Sequence, residues 1–251
     1  MIPLTKIMDG KQDFPLLTRE LLKVDDFEIV SPGRRWEYAM ALRAVNLWKS
    51  LQPTSGDYLI GEMAARLDID PVMLLPSGLD VGGAGSPLVS MLRGSQLRAS
   101  VLDPHTNCDL HTFLALAPRI AANPTLPPED RVADVVTCVS VIEHVKEEQQ
   151  FVADLRRVVA PGGLLFLTTD IKDEEEDPED NRHFHWMRER IYMLSSWMKL
   201  ASVFIFNGFE FLGDAVDWSY HEDQVYGSAH ASTGYSFASL ALVRTRKRGK
   251  R

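Results

Sequence analysis

The side chains with chemical potential in this 251-residue chain cluster around one glycine-rich stretch. Residues 78–87 read Gly-Leu-Asp-Val-Gly-Gly-Ala-Gly-Ser-Pro: a short apolar run, four small residues, a serine suited to cap a helix and a proline suited to its first position. That pattern is strand, tight turn, helix start. Its small residues let a ligand approach the backbone, and the helix N-terminus offers N–H groups to it. Residues 97–103 form a second apolar run ending in Asp103, 23 residues beyond Asp80. A carboxylate about 20 residues past such a turn is placed to accept both hydroxyls of a ribose. Together these features imply a nucleoside-containing cofactor at the carboxyl ends of adjacent parallel strands. His144, His183 and His185 add imidazoles, which can move a proton near neutral pH.

The elements that must position these residues alternate. An amphipathic helix is expected over 34–49, with Tyr38, Leu42, Val45 and Trp48 at helical spacing, and a second over 57–67 carrying Leu59, Met63 and Leu67. Residues 1–30 read as an irregular or short-helical lead-in. After the strands at 78–82 and 97–103, prolines 118, 124, 127 and 128 interrupt the segment where a further strand belongs. Residues 133–139 are β-branched and apolar, a buried strand. A helix follows, carrying Val145, Phe151, Leu155, Val158 and Val159 and stopped by Pro161-Gly162-Gly163. The next strand is placed at 164–170, a long helix at 186–206 ended by Gly208, and final strands at 209–213 and 236–243. The alternation points to an α/β, doubly wound, mostly parallel sheet.

Bulk properties narrow the options. The hydrophobic share of 45% and charged share of 25% are those of an ordinary globular chain. A net charge of −8 disfavours nucleic-acid binding by the surface at large, although the basic C-terminus leaves a minor route to it. Cys108 and Cys138 give neither a disulfide framework nor zinc spacing, and Cys138 reads as a buried inert thiol. The acidic stretch 170–181 follows no metal-loop spacing and reads as a solvated lid, so no metal is expected. With no signal peptide or spanning run, no membrane association is expected, and the expected compartment is the cytoplasm.

In order along the chain, four features resemble the class I S-adenosylmethionine-dependent methyltransferases. They are the 79–85 turn, the strand end at Asp103, the run Asp134 to Val145 ending in Ile-Glu-His-Val, and Leu155 to Gly163. The resemblance covers residues 75–245 and implies a Rossmann-like, seven-stranded, mostly parallel sheet with its last strand antiparallel. Residues 1–74 would be an N-terminal helical cap and 246–251 a basic tail. Ala84 and Ser86 stand where the family commonly has glycines; alanine is small enough to keep the approach.

By the same resemblance, Asp80, Gly82, Gly83, Ala84 and Asp103 would hold S-adenosylmethionine. Ser140, Val141 and Glu143 would wall the pocket, and Asn123 would be a candidate adenine contact. The implied reaction is methyl transfer to an oxygen, less readily a nitrogen, of a small molecule or glycan. A hydroxyl acceptor needs a base, for which His144, His183 and His185 are the catalytic candidates. Arg34, Trp36 and Tyr38 would close the pocket from the N-terminal helix or pack beneath it. Two alternatives stay open: a nicotinamide-dependent oxidoreductase, and a non-catalytic cofactor-fold protein that binds a partner.

Overall fold

The structure is a computed structural model that describes residues 4–8, 32–52, 64–68, 70–83, 86–103, 133–145, 147–172, 191–220 and 235–246. Nine strands are present among them: β1 (Thr5–Ile7), β2 (Ser77–Val81), β3 (Arg98–Leu102), β4 (Ala133–Val139), β5 (Val159–Lys172), β6 (Tyr192–Met193), β7 (Phe209–Phe211), β8 (Val216–Asp217) and β9 (Ser236–Arg244). The helices are α1 (Pro32–Leu51), α2 (Leu88–Gly94), α3 (Glu148–Val158) and α4 (Leu194–Phe206).

The strands form one sheet in the order β3-β2-β4-β5-β9-β1-β8, with β6 beside the end of β5 and β7 beside β9. All pairs are parallel except those made by β9 with β1, β5 and β7. The chain leaves β2 toward β3 on one side, and β4 returns on the other. The crevice between these diverging connections is the switch point at which doubly wound sheets bind ligands.

Side-chain alternation shows why both faces are covered. Leu164 and Phe166 of β5 join α1 and α2 in one apolar layer, with Trp36, Met40, Val45, Leu88 and Leu92. Leu165 and Leu167 point the other way into a layer with Val152, Leu155, Trp197 and Phe204 of α3 and α4. A strand buried on both faces reads as a continuous apolar run, and β5 does so from Leu164 to Leu167 before the polar groups of its carboxyl end. Each large side chain so buried contributes about 1.5–3 kcal/mol.

The α/β doubly wound reading holds, with corrections of detail. The sheet has nine strands among the described residues, not seven. The strands β1, β6 and β8 have two or three residues each, too few for alternation to register. Residues 1–30 were expected to be an irregular or short-helical lead-in, yet Thr5–Ile7 forms β1 between β8 and β9, where Ser239 Oγ donates to Leu4 O at 2.8 Å. The strand expected at 164–170 begins at Val159. Gly162 adopts φ +82°, so Pro161-Gly162-Gly163 continues as an irregular stretch of strand rather than a helix-ending turn. A Cβ at Gly163 would press on Ala160 O and Asp134 O, which only glycine avoids.

The helix expected at 186–206 starts at Leu194, preceded by β6; Tyr192 packs edge-on to Trp197 at 5.6 Å. Residues 64–67 are helical, but Leu67 is exposed rather than packed. Leu59, Met63 and the uncertain strand between Asp103 and Ala133 lie outside the described residues.

Candidate active site

Three strand ends meet at the switch point. After β2, Gly82 turns with φ +76° and its N–H donates to Leu102 O at 2.7 Å, tying the turn to the end of β3. A Cβ on Gly82 would collide with Val141, which follows β4; a Cβ on Gly83 would collide with the Asp80 carboxylate. Both positions are therefore reserved for glycine, one by backbone conformation and both by space. Ser86 then caps α2: its Oγ accepts from Leu88 N–H at 3.0 Å.

Asp80 lies under this turn, 1% exposed. Its Oδ1 accepts from Thr137 Oγ1 at 2.7 Å, while Oδ2 has no hydrogen-bond partner among the described residues. Burial pushes its carboxyl up to about 7; the Thr137 hydrogen bond opposes the rise and the neighbouring Asp103 adds to it. Asp103 is itself buried at the exit of β3.

On the other side of the crevice, Ser140 takes a left-handed backbone, φ +48°, at the exit of β4. Its hydroxyl donates to Glu37 Oε1 of α1 at 2.7 Å, and its N–H donates to Thr168 Oγ1 at 3.1 Å. Glu37 is fully buried and also accepts from Thr168 Oγ1 and from Arg34 Nη1, the latter at 3.1 Å. Glu143 is buried in the turn that follows and accepts from Thr169 Oγ1 at 3.2 Å. Burial first, and Asp170 second, hold its carboxyl well above the usual carboxylate range. Burial alone would lower the Arg34 guanidinium, but Glu37, Tyr38, Glu143 and Asp170 outweigh it and raise it.

The structure thus brings Asp80, Gly82, Gly83, Asp103, Ser140, Val141 and Glu143 to one end of the sheet. His144 occupies the exposed side of the short 3₁₀ turn Ile142–His144. Ala84, Asn123, His183 and His185 lie outside the described residues. Trp36 is buried against Phe237, ring centroids 6.5 Å apart, so it packs rather than closes a pocket. Tyr38 is buried too, and its phenol oxygen lies 3.2 Å from Ser86 Oγ.

Sequence reasoning missed Glu37, Thr137, Thr168 and Thr169. A usable signal existed for Glu37. It is flanked by Trp36 and Tyr38 and followed by Ala39-Met40-Ala41, so no face of that turn is polar enough to be solvated. Cys138 is buried with its thiol raised by burial, as an inert core cysteine should be.

A family model described as "Methyltransferase domain" matches residues 34–209, most of the chain and all of the crevice just described. The chain belongs to that family. The methyltransferase membership expected from sequence is borne out, and the matched span begins within α1, so Glu37 and Tyr38 fall inside the methyltransferase domain. Among curated proteins it is similar to the ubiquinone biosynthesis O-methyltransferases of Rickettsia conorii (30% identical over 97 residues) and Burkholderia multivorans (32% over 99 residues). Each match takes in 36% of this chain, and the chain spans 34% and 43% of the length of these relatives. Among solved structures it is similar to a SAM dependent methyltransferase from Archaeoglobus fulgidus (11% identity, TM-score 0.45, 75% of this chain and 95% of that one). It is also similar to Haemonchus contortus phosphoethanolamine N-methyltransferase 2 in complex with S-adenosyl-L-methionine (14%, TM-score 0.46, 94% and 58%). No helix among the described residues is long and apolar enough to cross a membrane.

Proposed function

We propose that this methyltransferase-family chain uses S-adenosylmethionine to methylate an oxygen of a small molecule. The observation that carries the reading is the cradle at the switch point: two glycines that a Cβ would fill, with buried Asp80 and Asp103 beside them. The residues fit a cationic nucleoside cofactor. Asp103 would accept the ribose hydroxyl pair, and Asp80 Oδ2, unpartnered among the described residues, would face the amino-acid end. Ala84 would continue the cradle, with Ser140, Val141 and Glu143 forming its wall.

When bound, the cofactor supplies a methyl group on a sulfonium, ready for in-line displacement. The chain's own task is then to orient the two reactants and exclude water. A hydroxyl acceptor also has to lose a proton. His144 is the candidate base among the described residues, with His183 and His185 as further candidates. The choice of oxygen is supported by the names of the curated O-methyltransferase relatives. Nothing specific supports the glycan acceptor that the sequence also allowed.

The test is methyl transfer from labelled S-adenosylmethionine to a panel of small hydroxyl-bearing molecules, with amine-bearing ones alongside. Label in a hydroxyl compound is the expected result. Label in amines alone would overturn the choice of oxygen. No label together with no cofactor binding would overturn the whole reading.

A further inference from the structure

We infer that Glu37 is a positioning residue for the cofactor cradle, acting from α1 through Ser140 onto Val141 and Gly82. The inference rests on the cofactor reading above. Nothing about Glu37 suggests a solvated helix carboxylate. It is fully buried, and its Oε1 takes hydrogen bonds from two hydroxyls on different strands, Ser140 at the exit of β4 and Thr168 on β5. Thr168 Oγ1 in turn accepts from Ser140 N–H, so three residues close a knot around one backbone unit.

That backbone unit is strained. Ser140 adopts φ +48°, a region a non-glycine residue occupies only when its surroundings enforce it. The knot supplies the enforcement. Its consequence is the direction of the next residue: Val141 lies so close to Gly82 that no Cβ fits there. The contact fixes the distance between the β2 and β4 connections, the two sides of the switch-point crevice. The neighbouring Tyr38 holds the other end of the same turn through Ser86. One turn of α1 therefore reaches both sides of the crevice, Tyr38 through Ser86 and Glu37 through Ser140 and the Val141 that follows it.

Glu37→Ala takes away the acceptor of three hydrogen bonds, and a loss at the cradle the size of one hydrogen bond to a charged group is about tenfold in affinity. The test is calorimetric titration of S-adenosylhomocysteine into the wild type, Glu37→Ala, Glu37→Gln, Thr168→Val and the Glu37→Ala/Thr168→Val pair. All are measured well below their unfolding temperatures. Glu37→Ala is expected to bind about tenfold more weakly. Glu37→Gln should recover part of the loss because its amide oxygen still accepts. The double variant should bind no worse than the weaker single one, since both break the same knot.

Trp48→Phe serves as the structural comparison. It removes a buried hydrogen bond to Gly162 O, remote from the cradle, and should lower thermal stability with affinity unchanged. If Glu37→Ala fails to fold, Thr168→Val and Glu37→Gln carry the test. A wild type that binds alongside folded variants of equal affinity would overturn the inference and leave the cofactor reading standing. A wild type that does not bind would overturn both.

Discussion

Thr137 Oγ1 donates to Asp80 Oδ1 at 2.7 Å between two parallel strands, linking residues 57 apart in the chain at the floor of the cradle. Both side chains are buried, and this is the one hydrogen bond found for the Asp80 carboxylate among the described residues. The bond favours the charged form against a strong cost of burial.

Thr137→Val should therefore destabilise the fold at pH 8, where Asp80 is ionised, by about 1–3 kcal/mol. Urea unfolding at that pH measures it. The valine is nearly isosteric, so little of the loss can come from packing, and an unchanged midpoint would mean that the bond is not formed.

Asp80 also makes stability depend on pH. Its carboxyl keeps its proton up to about 7 in the folded chain, against the ordinary 3.8. Between those values the folded state binds more protons than the unfolded one. Its contribution to stability is then fully present below about 3.8 and lost as pH rises through about 7. Over that window it amounts to at most about 4 kcal/mol. Glu143 acts in the same direction, so the comparison must be with a variant: Asp80→Asn should lose Asp80's share of the decline in urea-unfolding free energy between pH 4 and 7. Parallel pH profiles for the two proteins would show that Asp80 titrates normally.

The glycines separate cleanly by surroundings. Gly82→Ala and Gly83→Ala should each weaken S-adenosylhomocysteine binding by at least about tenfold and lower the unfolding temperature, because the new methyl meets Val141 or the Asp80 carboxylate. Gly94→Ala places a methyl in open space at the end of α2. It should be neutral or gain up to about 1 kcal/mol. Calorimetry and thermal melts on the three variants check this ordering.

The parts of this fold legible in sequence were those whose signal is local. The β2-turn-α2 unit announces itself through Gly82, Gly83, Ser86 and Pro87 within a few residues. The β4 strand does so through its β-branched run. The β1 strand could not be seen, because Thr5–Ile7 gains its partners from residues more than two hundred positions away. The early start of β5 was hidden by Pro161-Gly162-Gly163, which reads as a stop until the left-handed φ of Gly162 shows the chain bulging onward.

In the candidate site, the Gly82-Gly83 turn was readable from residue type and Asp103 from its spacing beyond that turn, since a parallel strand pair sets that spacing, while Asp80 entered through the family resemblance. Glu37 was not readable, because the helical period was read from Tyr38, Leu42, Val45 and Trp48 alone. A carboxylate outside that stripe received no reading, although its own neighbours bury it.

The most direct measurement is a side-by-side titration of S-adenosylhomocysteine into the wild type and Asp103→Ala, with folding of both verified by circular dichroism. Saturable one-to-one binding to the wild type, weakened by at least about tenfold in the variant, is the expected result. No binding to a folded wild type, or equal affinity in the two proteins, would contradict a nucleoside cofactor held between the glycine turn and Asp103.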